Sequence, residues 1–328
     1  MLKGYEGLEL STQMIIEEAF KRNIEVDVLD WNDNFIRLKK GCKTEYVKQA
    51  TRTSADTYIA PLIMENKDVT KIVLSENGIN VPDGVTVQKI EDGIEFFQRF
   101  SGNDVVIKPK STNFGKGVVI LKQPYSIEDF KNAINQAFKY DKSVMIEEFI
   151  KGKEYRFLVI NDEVAAILHR VPANVIGNGA NTIEELAAEK NKNPLRGHGY
   201  VTPLEKITLG QIEKEYLGFQ GKDFNTIPQR GEIVFLRENS NISTGGDSID
   251  FTDEIIDEYK VIAVQAAKAV GAKICGADMI IQDINKKPDK SNYSIIELNF
   301  NPALHIHDFP YKGSNRHVER KVLDLLGL

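Results

Sequence analysis

Cysteine is scarce: Cys42 and Cys275 are the only two in 328 residues, far apart and without CxxC spacing. That argues against a disulfide scaffold and a cysteine-built zinc site, and it fits a reducing cytoplasm. No apolar run approaches the roughly 20 residues a membrane span requires. The opening MLKGYEGLELSTQ has no apolar core of a signal peptide, so neither export nor insertion is expected. Positive charge is also in deficit, with 42 basic against 48 acidic residues and a net charge of −6. Nothing draws such a chain generally to nucleic acid or an anionic membrane, so an anionic ligand must be met by a local basic cluster. Glycine (24) and proline (11) are too few for a collagen-like or low-complexity chain. No internal repeat is found, and the single Trp31 and the scattered Tyr and Phe residues read as core. At about 150 residues per domain the length suggests two domains.

Helix and strand signals intersperse along the chain. Residues 11–22 place Met14, Ile15, Ala19 and Phe20 at helical spacing, and IEVDVLD and FIRL read as two short strands. NKDVTKIVLSENG predicts a helix ending at Gly78. VVIKP (105–109) and the apolar end of STNFGKGVVIL predict a hairpin, followed by a helix over 126–139 and a strand over 144–150. KGKEYRFLVINDEVAAILHRVP supplies two more strands, residues 254–270 a helix capped by Gly271, and ICGADMIIQDI with YSIIELNF a closing hairpin. Strands that neighbour one another in sequence indicate mostly antiparallel sheets, hence an α+β fold.

The closing hairpin carries the strongest chemical signal. Glu297 and Asn299 lie two apart in a strand and share a face, and Asp278 sits mid-strand in the partner. Carboxylates among Ile280, Ile281, Ile295, Ile296 and Leu298 are costly to desolvate unless a cation offsets their charge. Oxygen-only ligands point to Mg²⁺ or Mn²⁺. A second cluster joins Lys67, Lys108 and the loop Ser111 to Gly117, where Gly115 and Gly117 would let backbone N–H groups approach a phosphate. Neither a GxxxxGK[ST] nor a GxGxxG pattern is present, which excludes a P-loop and a dinucleotide fingerprint. His305 and His307 form an HxH pair with no third ligand nearby and read as packing or substrate-contact residues. Cys275 reads as a small buried residue rather than a nucleophile.

Taken in order, NKxxTK (66–71), VIKP, the Gly loop, IEEFIKGKEYR (146–156), GAD (276–278) and ELNFNP (297–302) resemble the ATP-grasp ligases. The likeness covers nearly the whole chain. It is nearest to the C-terminal, glutathione synthetase half of the bifunctional γ-glutamylcysteine ligase/glutathione synthetases, through DNFIRLKKG, EYVKQATRTS, LIMENK, LRENSNISTGGDSID and HIHDFPYKGSNR. The run from RVPANVIGNGANTIEEL to NPLRG is also similar to cyanophycin synthetase.

The resemblance implies an ATP-grasp fold with a short N-terminal α/β piece (1–65), an antiparallel lid subdomain (66–155) and a C-terminal α+β subdomain with the metal site (156–328). It implies that Lys67 and Lys108 hold ATP phosphates. Glu147, Glu148 and the backbone of Phe149 and Ile150 would meet the adenine, and Glu154 the ribose. Asp278, Glu297 and Asn299 would ligate Mg²⁺ or Mn²⁺, and Arg156, Arg170 and Arg237 are candidates to stabilise an oxyanion. The implied reaction joins γ-glutamylcysteine to glycine through an acyl phosphate. The alternatives are a cyanophycin-like or dipeptide-forming ligase acting on another amino-acid pair, or a noncatalytic ATP-binding partner subunit. D-alanine ligases carry an arginine two positions before the metal aspartate; Gly276 stands there, so the oxyanion role falls elsewhere. The bifunctional family has a γ-glutamylcysteine ligase domain upstream. The chain is therefore expected to be either a stand-alone enzyme served by a separate γ-glutamylcysteine ligase or a fragment, with a homodimer as the default assembly.

Overall fold

The computed structural model describes residues 2–111 and 117–328, so Gly115 and most of the Gly loop lie outside the described residues. The chain opens with the helix Leu10–Lys21 and an antiparallel sheet of β1 (Glu25–Asp30), β2 (Phe35–Lys40) and β3 (Lys43–Lys48). Two strands were expected; the third, KTEYVK, is mostly polar because it is an edge that buries little beyond Val47.

A four-stranded antiparallel sheet follows, built from β4 (Gly84–Val87), β5 (Val105–Pro109), β6 (Val119–Leu121) and β7 (Val144–Glu148) in the order β4-β7-β5-β6. The helix Ile127–Phe138 lays Phe130, Ile134 and Ala137 on it, and its start is set by a capping box between Ser126 and Asp129. The expected β5–β6 hairpin is present. β7 stops two residues short of the expected 150, because the Phe149 N–H turns to the Asp104 carbonyl (2.9 Å).

The large sheet begins with β8 (Lys153–Ile160) and β9 (Glu163–Val171). A small lobe then contributes β10 (Asn174–Ile176), the helix Ile183–Lys190, β11 (Arg196–Gly197), β12 (Leu204–Glu205), the helix Gln211–Phe219 and β13 (Ile233–Phe235). The chain returns through β14 (Asp247–Asp250), β15 (Ile274–Ile281) and β16 (Tyr293–Asn299), giving the antiparallel order β14-β9-β8-β15-β16.

Alternation divides the labour of this sheet. Tyr155, Phe157, Val159, Ala277 and Met279 pack on one face against the helix Asp257–Ala269. On the other face Leu158, Ile160 and Ile274 join Ile15, Ile16, Ile36 and Leu38 from the N-terminal piece and Val318, Val322 and Leu323 from the final helix Val318–Leu325. That second face turns polar toward Glu154, Arg156, Arg170 and Asp278. Leu74, Ile79 and Tyr155, expected in the lid, lie in the large core, while the smaller sheet has an apolar core of its own. The cores therefore do not divide at the expected positions 65/66 and 155/156.

Because the N-terminal piece, the final helix and the large sheet share one core, they should unfold together. Leu323→Ala, at a site with 0% exposure, is expected to cost about 2–5 kcal/mol in a single cooperative denaturant transition. A separate early transition for the N-terminal piece would contradict the shared core.

Candidate active site

The pairing of β8, β15 and β16 assembles the polar face. Arg156 lies opposite Asp278, and Asp278 opposite Glu297; Gly276 lies opposite Asn299. A register shift directly beyond the Asp278–Glu297 pair places Met279 opposite Ile295, a bulge that interrupts the pairing beside the polar cluster before it resumes to Ile281 and Tyr293.

Asp278 is 1% exposed, and its charge is met by protein cations rather than left for a metal alone. Arg156 donates in bidentate fashion, Nε to Oδ1 and Nη2 to Oδ2, both at 2.6 Å. Oδ2 also accepts from Arg170 Nη2 (3.1 Å) and Asn299 Nδ2 (3.1 Å). Burial alone would raise the Asp278 carboxyl; Arg156 and Arg170 outweigh it and hold it below the usual carboxylate range. Arg170 also pairs with Glu154, whose carboxylate accepts from the Ser240 hydroxyl. Gly276 has a steric reason: a Cβ there would lie 3.4 Å from Arg156 Cδ and 3.3 Å from Pro302 Cβ. The arginine thus crosses over the glycine.

The donor chemistry of Glu297 and Asn299 fits a hard divalent cation. Asn299 commits its amide N–H to Asp278, and Glu297 lies within electrostatic reach of Lys67 and Arg156. Asp278 fits such an ion only by exchanging arginine contacts. Among the described residues no group of three or more His, Cys, Asp or Glu gathers as a metal site.

The lysines converge from two elements. Lys67 and Lys71, one turn apart on the helix Lys67–Glu76, meet Lys108 of β5 around the buried Glu147. Glu147 pairs with Lys71 and, at 2.7 Å, with Lys108. Burial would raise its carboxyl, but the two lysines hold it below the ordinary range; burial pushes Lys67 and Lys71 down. The side chain expected at the adenine is thus a counter-ion for lysines. Gly84 makes room for it, since a Cβ there would sit 2.8 Å from Glu147 Cγ.

The other expected residues separate from this centre. Glu148 Oε1 accepts from the Asp83 N–H (3.1 Å), and the Phe149 N–H is spent on Asp104. Ile150 lies just beyond the end of β7, and the Ser111 N–H donates to Asp141 Oδ2 (2.6 Å). Gly117 adopts φ +77° with a Cβ position 2.7 Å from Pro109 Cγ, so packing already requires glycine there. Arg237 pairs with the buried Glu213 and does not join Arg156 and Arg170. Lys71 and Ser240 were not singled out from the sequence, although the four-residue spacing of Lys67 and Lys71 places both on one helix face. Cys275 is buried with its thiol pushed up to about 12, so no thiolate is available. His305 accepts from or donates to Ser11 Oγ at 2.8 Å, and the imidazole of His307 is buried with no hydrogen-bond partner among the described residues.

Two family models match the chain: an ATP-grasp-like domain over residues 6–59, and the ATP-grasp (A) domain of phosphoribosylglycinamide synthetase over residues 65–174. The two matched segments thus carry ATP-grasp domains, and the fold is an ATP-grasp fold. The bifunctional glutathione biosynthesis protein GshAB of Clostridium perfringens is 60% identical over 325 residues, covering 99% of this chain and 42% of that protein. Its namesake from Listeria innocua is 51% identical with the same coverage. The crystal structure of a bifunctional glutathione synthetase from Pasteurella multocida superposes with a TM-score of 0.79 at 47% identity, covering 99% of this chain and 45% of that one. The chain therefore spans about two fifths of the length of the curated relatives it matches. Among the described residues no helix is long and apolar enough to cross a membrane.

Burial holds His305 at about 4 and His307, where burial is joined by Arg156, at about 3, below the ordinary 6.5. A depressed histidine binds its proton in the unfolded chain first, so the stability is present above about 6.5 and is lost as pH falls toward 3. His307→Gln should flatten the slope of unfolding free energy between pH 6.5 and 4, read by urea denaturation. An unchanged slope would mean that His307 protonates in the folded protein.

Proposed function

We propose that the chain is an ATP-dependent carboxylate–amine ligase that joins γ-glutamylcysteine to glycine and releases ADP and phosphate. The observation that carries this reading is the 60% identity to a bifunctional glutathione biosynthesis protein across 99% of the chain. The polar face of the large sheet supports it chemically.

In this reading Lys67 and Lys108 face the phosphates of ATP, with Lys71 and Glu147 behind them. The γ-phosphoryl group passes to the cysteinyl carboxylate: a carboxylate oxygen–phosphorus bond forms, the bond to the β-phosphate oxygen breaks, and ADP departs. The neutral amine of glycine then attacks the acyl carbon, its proton goes to water, and phosphate leaves. Arg156 and Arg170 are assigned to the oxyanion of the tetrahedral intermediate, which donors held in place by the protein would stabilise without reorganisation. A divalent cation held by Glu297 and Asn299, with Asp278 behind them, would supply neutralisation of phosphoryl oxygens. Glu154 is placed beside Arg170 and is assigned to the ribose hydroxyls. A γ-glutamylcysteine ligase, separate or on the same chain, would supply the dipeptide, and the cytoplasm its ATP.

Incubation with ATP, Mg²⁺, γ-glutamylcysteine and glycine should yield glutathione by mass, with equimolar ADP and phosphate. A faster product from another carboxylate and amine pair would sink the substrate assignment. Glu297→Gln should lower kcat about 100-fold or more at saturating Mg²⁺ with an unchanged circular dichroism spectrum. Lys108→Ala should raise the KM for ATP about 10-fold or more, and an unchanged value would remove this lysine from the phosphates.

A further inference from the structure

A second basic cluster borders the reacting face. Asp247 opens β14 opposite Val171, one position from the pair formed by Ser248 and Arg170. Lys190, at the end of the helix Ile183–Lys190, donates to Asp247 Oδ2 at 2.6 Å and to the backbone and side-chain oxygens of Asn174 at 3.0 and 3.1 Å. Arg196 pairs with the other oxygen of Asp247 and donates through Nη1 to the carbonyls of Glu205 (2.7 Å) and Gly245 (3.1 Å).

Two cations here face one carboxylate, and all three are removed from water: the side chains of Lys190, Arg196 and Asp247 are 13%, 0% and 6% exposed. A structural ion pair would be complete with one cation, and a surplus buried charge is costly. Arg196 Nε is buried with no acceptor among the described residues. Burial holds both cations below their ordinary pKa values despite Asp247, so their charge is under-compensated. What covers them is an aromatic face: the Tyr311 ring centroid lies 5.2 Å from Lys190 Nζ and 5.7 Å from the Arg196 guanidinium carbon. Tyr311 is 37% exposed, so it is the side of the cluster that meets solvent. A ring quadrupole offsets only part of a full charge.

We propose that Lys190, Arg196 and Tyr311 form a binding subsite for a substrate carboxylate that is not the one being activated. The proposal rests on the ligase reading above, under which two such groups exist: the carboxylate of glycine and the α-carboxylate of the γ-glutamyl residue. Their chemistry is the same, and the anion would complete the charge balance that Asp247 leaves unfinished. Arg237, the third arginine offered by the sequence as an oxyanion candidate, is occupied by Glu213.

The test compares the chain with Lys190→Met, which keeps the aliphatic stem, in steady-state assays at saturating ATP. Glycine is varied beside glycinamide, and γ-glutamylcysteine beside 4-aminobutyryl-cysteine, which lacks the α-carboxylate. The KM of one carboxylate substrate should rise about 10-fold or more. The preference of the unmodified chain for that substrate over the analogue lacking the carboxylate should collapse, while kcat and the KM for ATP stay within about twofold. Lys190→Arg should restore the preference. Whichever substrate responds names the carboxylate. Equal preference before and after substitution, or a parallel rise in the KM for ATP, overturns the subsite. Should Lys190→Met prove insoluble, Tyr311→Leu carries the same comparison from the solvent side. If the unmodified chain ligates a different pair, the glutathione reading fails and the comparison runs on that pair's spare carboxylate. Calorimetric titration with the same four compounds decides the subsite where no turnover is found.

Discussion

The fork of Arg156 on Asp278 is the contact around which the large sheet's polar face is organised. A carboxylate this deeply buried would be driven toward its neutral form, and two guanidinium groups keep it charged. The same contact explains several neighbours at once. Arg156 passes within van der Waals reach of Gly276, Asn299 is turned by its N–H toward Asp278, and Arg170 is shared between Asp278 and Glu154. Breaking a buried network of this kind leaves uncompensated charge behind, so its members depend on one another more than on the surrounding apolar packing.

The smaller sheet is joined to this centre differently. Its apolar core is separate, and across the junction run ion pairs and hydrogen bonds: Glu147 to Lys71, and Lys110 and Thr86 to Asp68. The helix that carries Lys67, Lys71 and Asp68 belongs to the large core through Leu74. Under the proposed function an incoming polyphosphate would compete for these lysines, so the groups that hold the sheet in place would also be those the anionic ligand engages. The small lobe ends in another excess of cations at Lys190 and Arg196. Two local basic clusters thus serve a chain whose net charge is −6.

Much of the framework was legible in the residues. The period-two spacing of Glu297 and Asn299, and the placement of Asp278 in the strand that must pair with theirs, put three polar groups on one face whatever else the chain does. The helix over 126–139, the lysine at the end of β5 and the closing hairpin followed from local chemistry. The third N-terminal strand escaped because an edge with one buried residue has no clear alternation, and the small lobe because its strands are two or three residues long. The pairing of Glu147 was not legible, because nothing in IEEFI indicates that a lysine from a helix 76 residues earlier will reach it.

Strand polarity, hairpin register and the identity of the oxygen donors are properties of neighbouring residues, and sequence spacing decides them. Which charge compensates which is a property of residues far apart in the chain. Arg156 and Asp278 are separated by 122 positions, Lys190 and Asp247 by 57, and each pair exists only because burial makes an unpaired partner costly once the sheets have closed. Folding therefore assigned Asp278 to two arginines, Arg237 to Glu213 and a surplus of positive charge to the small lobe.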